Sequence, residues 1–372
     1  MHSPRVAIAA PNTARLAILL LAGLAACDVP TRLPTWNQTW LIPGDSTRVA
    51  VSELLPKSGE LTVSTAGGQP VFALNIATPA AISRSLGQVC SACAAANGTT
   101  VPKPAFSIID STGVALPSDL VAATIVSGGL AYTITNAFGF DPIRPSAAGA
   151  PYGYFVVRVT NGTTLVAIDS VNGADLAIGK NGAVVQRALP LNVGAGSLGI
   201  SGSSPLEVSV TLDSPAGDPT TINSSQSFSI SIQPAPIALS QAQVNLANQQ
   251  ISAAQTSVDL TSVSDEALIN RVQAGTLHLT ISSPFGVQGT LTATFTTPGA
   301  SPIVKTIPLT TAAQQTPNVS LTATELRALL GHTATLTVSG SVSSPSGTVT
   351  LTPTQALNVA STFEIILSTT EN

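Results

Sequence analysis

Cys90 and Cys93 stand in a C-x-x-C spacing, a pattern that supports several chemistries and is narrowed by its neighbours. Haem attachment needs His directly after the second cysteine, and residue 94 is Ala. A structural zinc needs two further ligands, but past the first few residues the histidines are His278 and His332, both far along the chain. A thioredoxin-like site needs a βαβ setting, and residues 83–100 lack that pattern. In an oxidising compartment the remaining reading is a local disulfide between Cys90 and Cys93. It would pin the loop that ends at the turn dipeptide Asn97-Gly98. No metal site is expected.

Nucleophilic hydrolysis would require a Ser or Cys, a His base and an orienting acid. His278 sits in an alternating, strand-like run and His332 beside a helix end, and no Gly-x-Ser-x-Gly elbow occurs. Five carboxylates could in principle form a glycoside-cleaving pair: Asp141, Asp169, Asp175, Asp213 and Asp218. Most of them neighbour Gly, Pro or Ser, where Asp caps turns. Calcium loops, Walker loops and dinucleotide fingerprints are missing from the sequence. The expectation is a protein that is not an enzyme, with no catalytic residue and no cofactor.

The third cysteine, Cys27, has a different setting. Basic residues at Arg5 and Arg15 precede an apolar run over residues 16–25, which is too short to span a bilayer as a helix. This is the pattern of a secretory signal. Its end, Leu24-Ala25-Ala26-Cys27, resembles the lipobox of bacterial lipoproteins. The resemblance implies cleavage before Cys27, a diacylglycerol on its sulfur, and an envelope location facing the periplasm or the exterior. With about 0.8 kcal/mol per buried methylene, two or three acyl chains hold a soluble domain on a membrane almost permanently. Asp28 resembles the inner-membrane retention signal of enteric bacteria, a rule not followed in all phyla, so the choice of membrane stays open. The stretch from 27 to 43, with Pro30, Pro34, Pro43, Trp36 and Trp40, reads as a tether.

Removal of residues 1–26 takes the net charge from −4 to −6, which suits phosphate backbones poorly and argues against nucleic acid as a partner. Only 9% of residues are charged, against about 25% in ordinary globular proteins. Ser, Thr, Ala and Val fill the difference, a mix that favours pleated sheets with hydroxyl-rich outer faces. The partners compatible with such a surface are the membrane itself through the lipid, another envelope protein, a glycan or a lipid ligand.

An internal repeat organises the rest. Aligned at Phe138 and Phe285, the two segments share Gly128/Gly275, Leu130/Leu277, Thr133/Thr280, Ile134/Ile281 and Gly139/Gly286, and Ser118-Asp119 falls on Ser264-Asp265. Further on, residues 208–217 match 338–347, each ending in Ser-Pro-x-Gly. The fold class expected is mainly β, with duplicated β-sandwich-like units and a few short helices. Domain boundaries follow: signal 1–26, tether 27–43, an N-terminal β region with the C-x-x-C loop at 44–117, repeat unit 118–239, connecting strand 240–263 and repeat unit 264–372. Each repeat is expected to open with a short helix, the second capped at Ser264 and stopped at Gly275, and another helix is expected at 322–330. Asn161-Gly162, Asn172-Gly173 and Asn181-Gly182 predict a four-stranded meander from 154 to 189. Two functions fit: an envelope protein that binds or braces, or a carrier enclosing an apolar ligand in a curved-sheet cavity.

Overall fold

A computed structural model describes residues 37–55, 59–76, 80–144, 151–191, 193, 197–234, 236–253 and 255–368. Cys27 and its lipobox lie outside the described residues.

The first strand is β1 (Asn37–Ala50), followed by a 3-10 turn at Val51–Leu54 and the hairpin of β2 (Leu61–Ala66) and β3 (Gln69–Leu74). From β4 (Ala80–Ser85) to β15 (Ser227–Pro234) the chain then builds one complete sandwich. With β8 (Gly129–Asn136) and β11 (Ala183–Pro190) those two strands form a sheet ordered β11-β8-β15-β4. The facing sheet is made by β6 (Phe106–Val114), β9 (Tyr154–Asn161), β10 (Thr164–Asn172) and β13 (Leu206–Ser214), ordered β10-β9-β13-β6. Helices α1 (Leu86–Val89) and α2 (Ser91–Ala95) and a small ladder of β5 (Thr100–Lys103) with β14 (Gly217–Thr221) close one end, the tip. At the other end β7 (Leu120–Ser127) and β12 (Leu198–Ser201) pair with each other.

The second sandwich begins at β16 (Ile237–Val244), β17 (Gln249–Ser252), β18 (Thr256–Asp259) and helix α3 (Glu266–Asn270). It continues with β19 (Val272–Ser282), β20 (Gln288–Thr296), β21 (Ile303–Leu309), β22 (Gln314–Gln315) and β23 (Asn318–Thr322). Helix α4 (Ala323–Leu329), β24 (Thr333–Ser343), β25 (Val349–Leu351) and β26 (Ala356–Ser368) complete it. One sheet runs β22-β19-β26-β1, with β23 also on β19; the other runs β21-β20-β24-β17, with β18 also on β24.

The two sandwiches have the same strand order. Replacing β11, β8, β15 and β4 by β22/β23, β19, β26 and β1 turns one sheet into its counterpart. Replacing β10, β9, β13 and β6 by β21, β20, β24 and β17 does the same for the other. The end ladder matches too, because β14 on β5 corresponds to β25 on β16. The first strand of the second sandwich is β1, so one copy is nested inside the other. We call residues 80–234 the nested unit and residues 37–54 with 237–368 the host unit. The repeat is physical as well as topological: Ile134 and Ile281 are fully buried, and Phe138 and Phe285 are buried just beyond equivalent strands. Period-two alternation drives this, as in β13, where Leu206, Val208, Val210 and Leu212 point inward.

The units join through a shared sheet ordered β12-β7-β16-β3-β2, in which β25 also pairs with β16. Here the nested unit's β7 lies along the edge of the host's β16, pairing Ala123 with Ala242 and Leu120 with Val244. The units therefore stack head to tail. At the far end of the host, its base, Asn37 pairs with Ser368, Val272 pairs with Leu367, and α3 and α4 lie alongside.

Several sequence expectations are corrected. Residues 37–43 of the expected tether belong to β1, whose backbone pairs with β26 from Asn37–Ser368 to Ala50–Ala356. The expected N-terminal region at 44–117 is divided among three bodies: β1 in the host, β2 and β3 in the shared sheet, and β4 to β6 in the nested unit. The repeat units are larger than 118–239 and 264–372, because each first strand precedes its recognisable segment. Residues 240–263, expected to connect, supply β16, β17 and β18. The expected opening helix exists in the host alone. There Asp265 is the N-cap, accepting the Ala267 N–H at 2.8 Å, and the helix ends before Arg271 rather than at Gly275. In the nested unit the β-branched run from Leu120 finds an edge of β16 and extends instead. At the host's second helix, Thr322 and Glu325 form a capping box over buried Leu326 and Leu329, and Gly331 takes φ +76 beyond it. Of the four-stranded meander, β9 and β10 form the hairpin, 174–178 is not a strand, and β11 crosses to the opposite sheet.

Candidate functional site

Rings fill the space between the nested sheets. Tyr132, Phe138, Phe155 and Phe228 are buried and in mutual contact at centroid distances of 5.9–6.1 Å. Phe295 and Phe363 do the same in the host at 5.7 Å. These interiors are packed; one shallow cleft of about 400 Å³ lies on the outer face of the nested sheet over Ile109, Val156 and Arg158, and two others lie at the ends of the units.

The tip carries a cleft lined by charges of both signs. It has a volume of about 390 Å³ and is lined by Lys103, Phe140, Asp141, Arg144, Lys180 and Asp218 with neighbouring glycine and threonine backbone. Three elements position these groups. Asn136, fully buried at the end of β8, donates to the carbonyls of Phe140 (2.9 Å) and Gly179 (2.6 Å) and accepts the Phe138 N–H. One amide thus ties the loop after β8 to the loop after β10. Asp141 caps both: one oxygen accepts the N–H groups of Ile143 and Arg144, the other that of Gly179 at 2.8 Å. Its charge is committed to backbone donors. Arg144 reaches across to the carbonyls of Gly173 (2.8 Å) and Ala174 (3.0 Å). The loops meet so closely that a Cβ at Gly173 would collide with the Ile143 carbonyl.

Lys103 forms part of the cleft wall and is 3% exposed. Its ammonium donates to Ser214 Oγ at 2.7 Å and to the Pro215 carbonyl. The faces of Phe140 and Phe106 lie 5.3 and 5.7 Å away. Burial pushes its pKa down to about 8, while the charges of Asp141 and Asp213 pull the other way. A buried lysine is costly, and the host unit does without one: the equivalent segment between β16 and β17 buries Leu246. The loops differ in the same sense. The nested connections run over 137–153 and 173–182, and the host's run over 283–287 and 310–313. The features that make the tip cleft are those the nested copy has and the host lacks.

A second cleft of about 550 Å³ lies at the junction of the units, lined by Asn161, Thr163, Ser201, Gln241, Gln243 and Thr350 among others. It carries amides and hydroxyls and no charged side chain. Asn161 organises it, bonding to Ser201 N–H and to the carbonyls of Ser201 and Ser204.

The residues singled out from sequence fall in separate places. Cys90 and Cys93 are disulfide-bonded, buried and 5.1 Å apart at Cα, in the α1–α2 turn of the tip. The following loop is held by Gly98 N–H on the Ile222 carbonyl and by Asn97 Oδ1, which accepts the Ser224 N–H. His278 lies on the outer face of the host between Glu364 (2.5 Å) and Asn318 (2.8 Å), bonds that raise its pKa. Asp169 pairs with Arg187 at 2.7 Å and accepts the Tyr132 hydroxyl at 2.7 Å. Burial alone would raise its pKa, but these partners hold it below the usual value. Asp141 and Asp218 meet in the tip cleft; Asp169 and Asp213 do not join them. Among the described residues no cluster of three or more His, Cys, Asp or Glu could hold a metal ion. No helix in the described residues is long and apolar enough to cross a membrane. Lys103, Arg144 and Lys180 went unnoticed in the sequence. Extending the repeat upstream would have set the segment Pro102–Phe106 against Val244–Ala247, a lysine where its sister has only apolar and amide side chains.

No family model and no curated protein matches the chain. Among solved structures it is similar to one described as "a putative secreted protein from Parabacteroides distasonis", at 7% identity and TM-score 0.31, covering 88% of this chain and 99% of the other. A structure of infectious bursal disease virus, Gx strain, is similar at 10% identity and TM-score 0.18, over 73% of this chain and 74% of that one. Likenesses of this order assign neither a family nor a function.

Proposed function

We propose that this chain is a lipid-anchored protein of the bacterial envelope, with a binding or structural role rather than an enzymatic one. The observation that carries the reading is Leu24-Ala25-Ala26-Cys27, placed ten residues ahead of the first strand at Asn37. Ten residues span at most about 36 Å, so the lipid would hold the start of β1 near the bilayer. That start lies at the host's base, beside Ser368 and helices α3 and α4. On this reading the head-to-tail stack raises the nested unit away from the membrane and presents its tip outward. The packed interiors supply no support for a lipid carrier, which would need an apolar cavity between sheets.

Cys27→Ser tests the anchor. The substituted protein is expected to incorporate no labelled palmitate and to fractionate with soluble protein. Continued membrane association with unchanged palmitate labelling refutes the reading.

A further inference from the structure

Duplication supplies an internal comparison, because the two copies share strand order and differ at their ends. The host's equivalent of the tip is occupied: β7 of the nested unit covers β16, and short connections leave little overhang. At the nested tip, among the described residues, no strand of another unit pairs with β5, the connections are longer in sequence, and a lysine is buried in a segment whose host counterpart carries no charge. Stability alone does not account for that lysine, since the matching segment of the host, Val244–Ala247, folds with no charged side chain.

The cleft's charge balance indicates what it takes. Asp141 is satisfied by three backbone N–H groups and shapes the wall. Three cationic side chains, Lys103, Arg144 and Lys180, line the cleft with two carboxylates, Asp141 and Asp218, a net positive site on an otherwise acidic chain. Its volume falls within the range of small-ligand sites, about 300–1,000 Å³. The geometry points to a binding site at the nested tip for the anionic group, carboxylate or phosphate, of a small ligand or of a sugar unit at a glycan end. Lys103 holds the charge from the cleft wall, Lys180 approaches it from the rim, and Asp218 accepts hydroxyl protons where the ligand has them. The inference stands independently of the lipid anchor, since the tip is the same whether or not Cys27 is modified.

Isothermal titration of the purified full-length protein with glucuronate, inorganic phosphate and glucose tests it. Saturable binding of glucuronate or phosphate is expected, weakening with added salt, with glucose at least about tenfold weaker. The anion that binds identifies the source, carboxylate or phosphate. Lys103→Met and Lys180→Gln should each weaken binding by about tenfold, and Lys103→Met should keep its fold, because it preserves side-chain length beside the rings of Phe106 and Phe140. No saturable binding of either anion up to about 10 mM, equal binding of glucose, or affinities unchanged in both variants overturns the assignment.

Discussion

Replacing Lys103 by Leu removes a buried charge from the nested unit, as in the host, whose matching segment Val244–Ala247 carries none. The ammonium's ordinary value is 10.5, and burial brings it to about 8 in the folded protein. Each factor of ten in proton affinity is worth about 1.4 kcal/mol, so keeping this lysine charged in the fold costs about 3 kcal/mol. The variant also gives up the bonds to Ser214 Oγ and the Pro215 carbonyl. Leaving those two acceptors short of a donor costs about 1–2 kcal/mol. The net expectation at pH 7 is a gain of about 1–2 kcal/mol. The sign with pH follows from linkage. Between about 8 and 10.5 the unfolded chain binds this proton and the folded chain does not, so wild-type stability rises with pH across that window. The advantage of the variant should therefore be largest below pH 8 and fade towards pH 10.5. All three tyrosines (Tyr132, Tyr152, Tyr154) lie in the nested unit, so tyrosine near-ultraviolet circular dichroism during urea unfolding follows that unit. A loss of more than about 2 kcal/mol at pH 7, or a difference independent of pH, would show that the lysine is integral to the fold and refute the reasoning.

Other outcomes follow from the same structure. Phe138→Ala and Phe285→Ala should each cost about 3–5 kcal/mol, read by urea unfolding; a cost below about 1 kcal/mol at either would break the equivalence of the two positions. Asp169→Asn should destabilise the nested unit by about 1–3 kcal/mol, because Arg187 and the Tyr132 hydroxyl lose a charged acceptor at the side of the sandwich. The variant's thermal midpoint is the readout, and an unchanged midpoint contradicts it. For His278 the folded pKa lies above 6.5, so its contribution is complete below that value and disappears as pH rises through the folded value. NMR titration of the imidazole should show the raised value in the wild type and a lower one in Glu364→Gln, where the Asn318 bond alone remains.

Strand alternation and the Ser-Pro-x-Gly repeat made the duplicated sandwich legible from sequence, because both signals are local. Nesting was not legible. β1 and β26 are at opposite ends of the described chain, and nothing in Asn37–Ala50 marks it as the partner of Ala356–Ser368. The helix expected after Ser118 failed for a related reason: the same aligned position is helix beside α4 and strand beside β16, so the neighbour decides. Asn181-Gly182 does adopt positive φ at both residues, but the turn it makes leads across the sandwich rather than along one sheet. The tip cleft was invisible because its charged residues come from four separate segments of chain. Only Asp141 and Asp218 had drawn notice, as turn caps, which Asp141 indeed is.

The end ladders have a consequence for growth. In the host, β16 presents Val244, opposite Val349, and its outer edge accepts Leu120 of the next unit. The same place at the tip holds Pro102 opposite Pro219. A proline has no N–H to offer an arriving strand, so the rung that welds nested unit to host is missing where a third unit would attach. At the base the strands that would do the attaching are replaced by α3 and α4. A head-to-tail contact of this kind would otherwise propagate without closing, copy upon copy, into a fibre. Both ends of the described stack are blunted against such an addition.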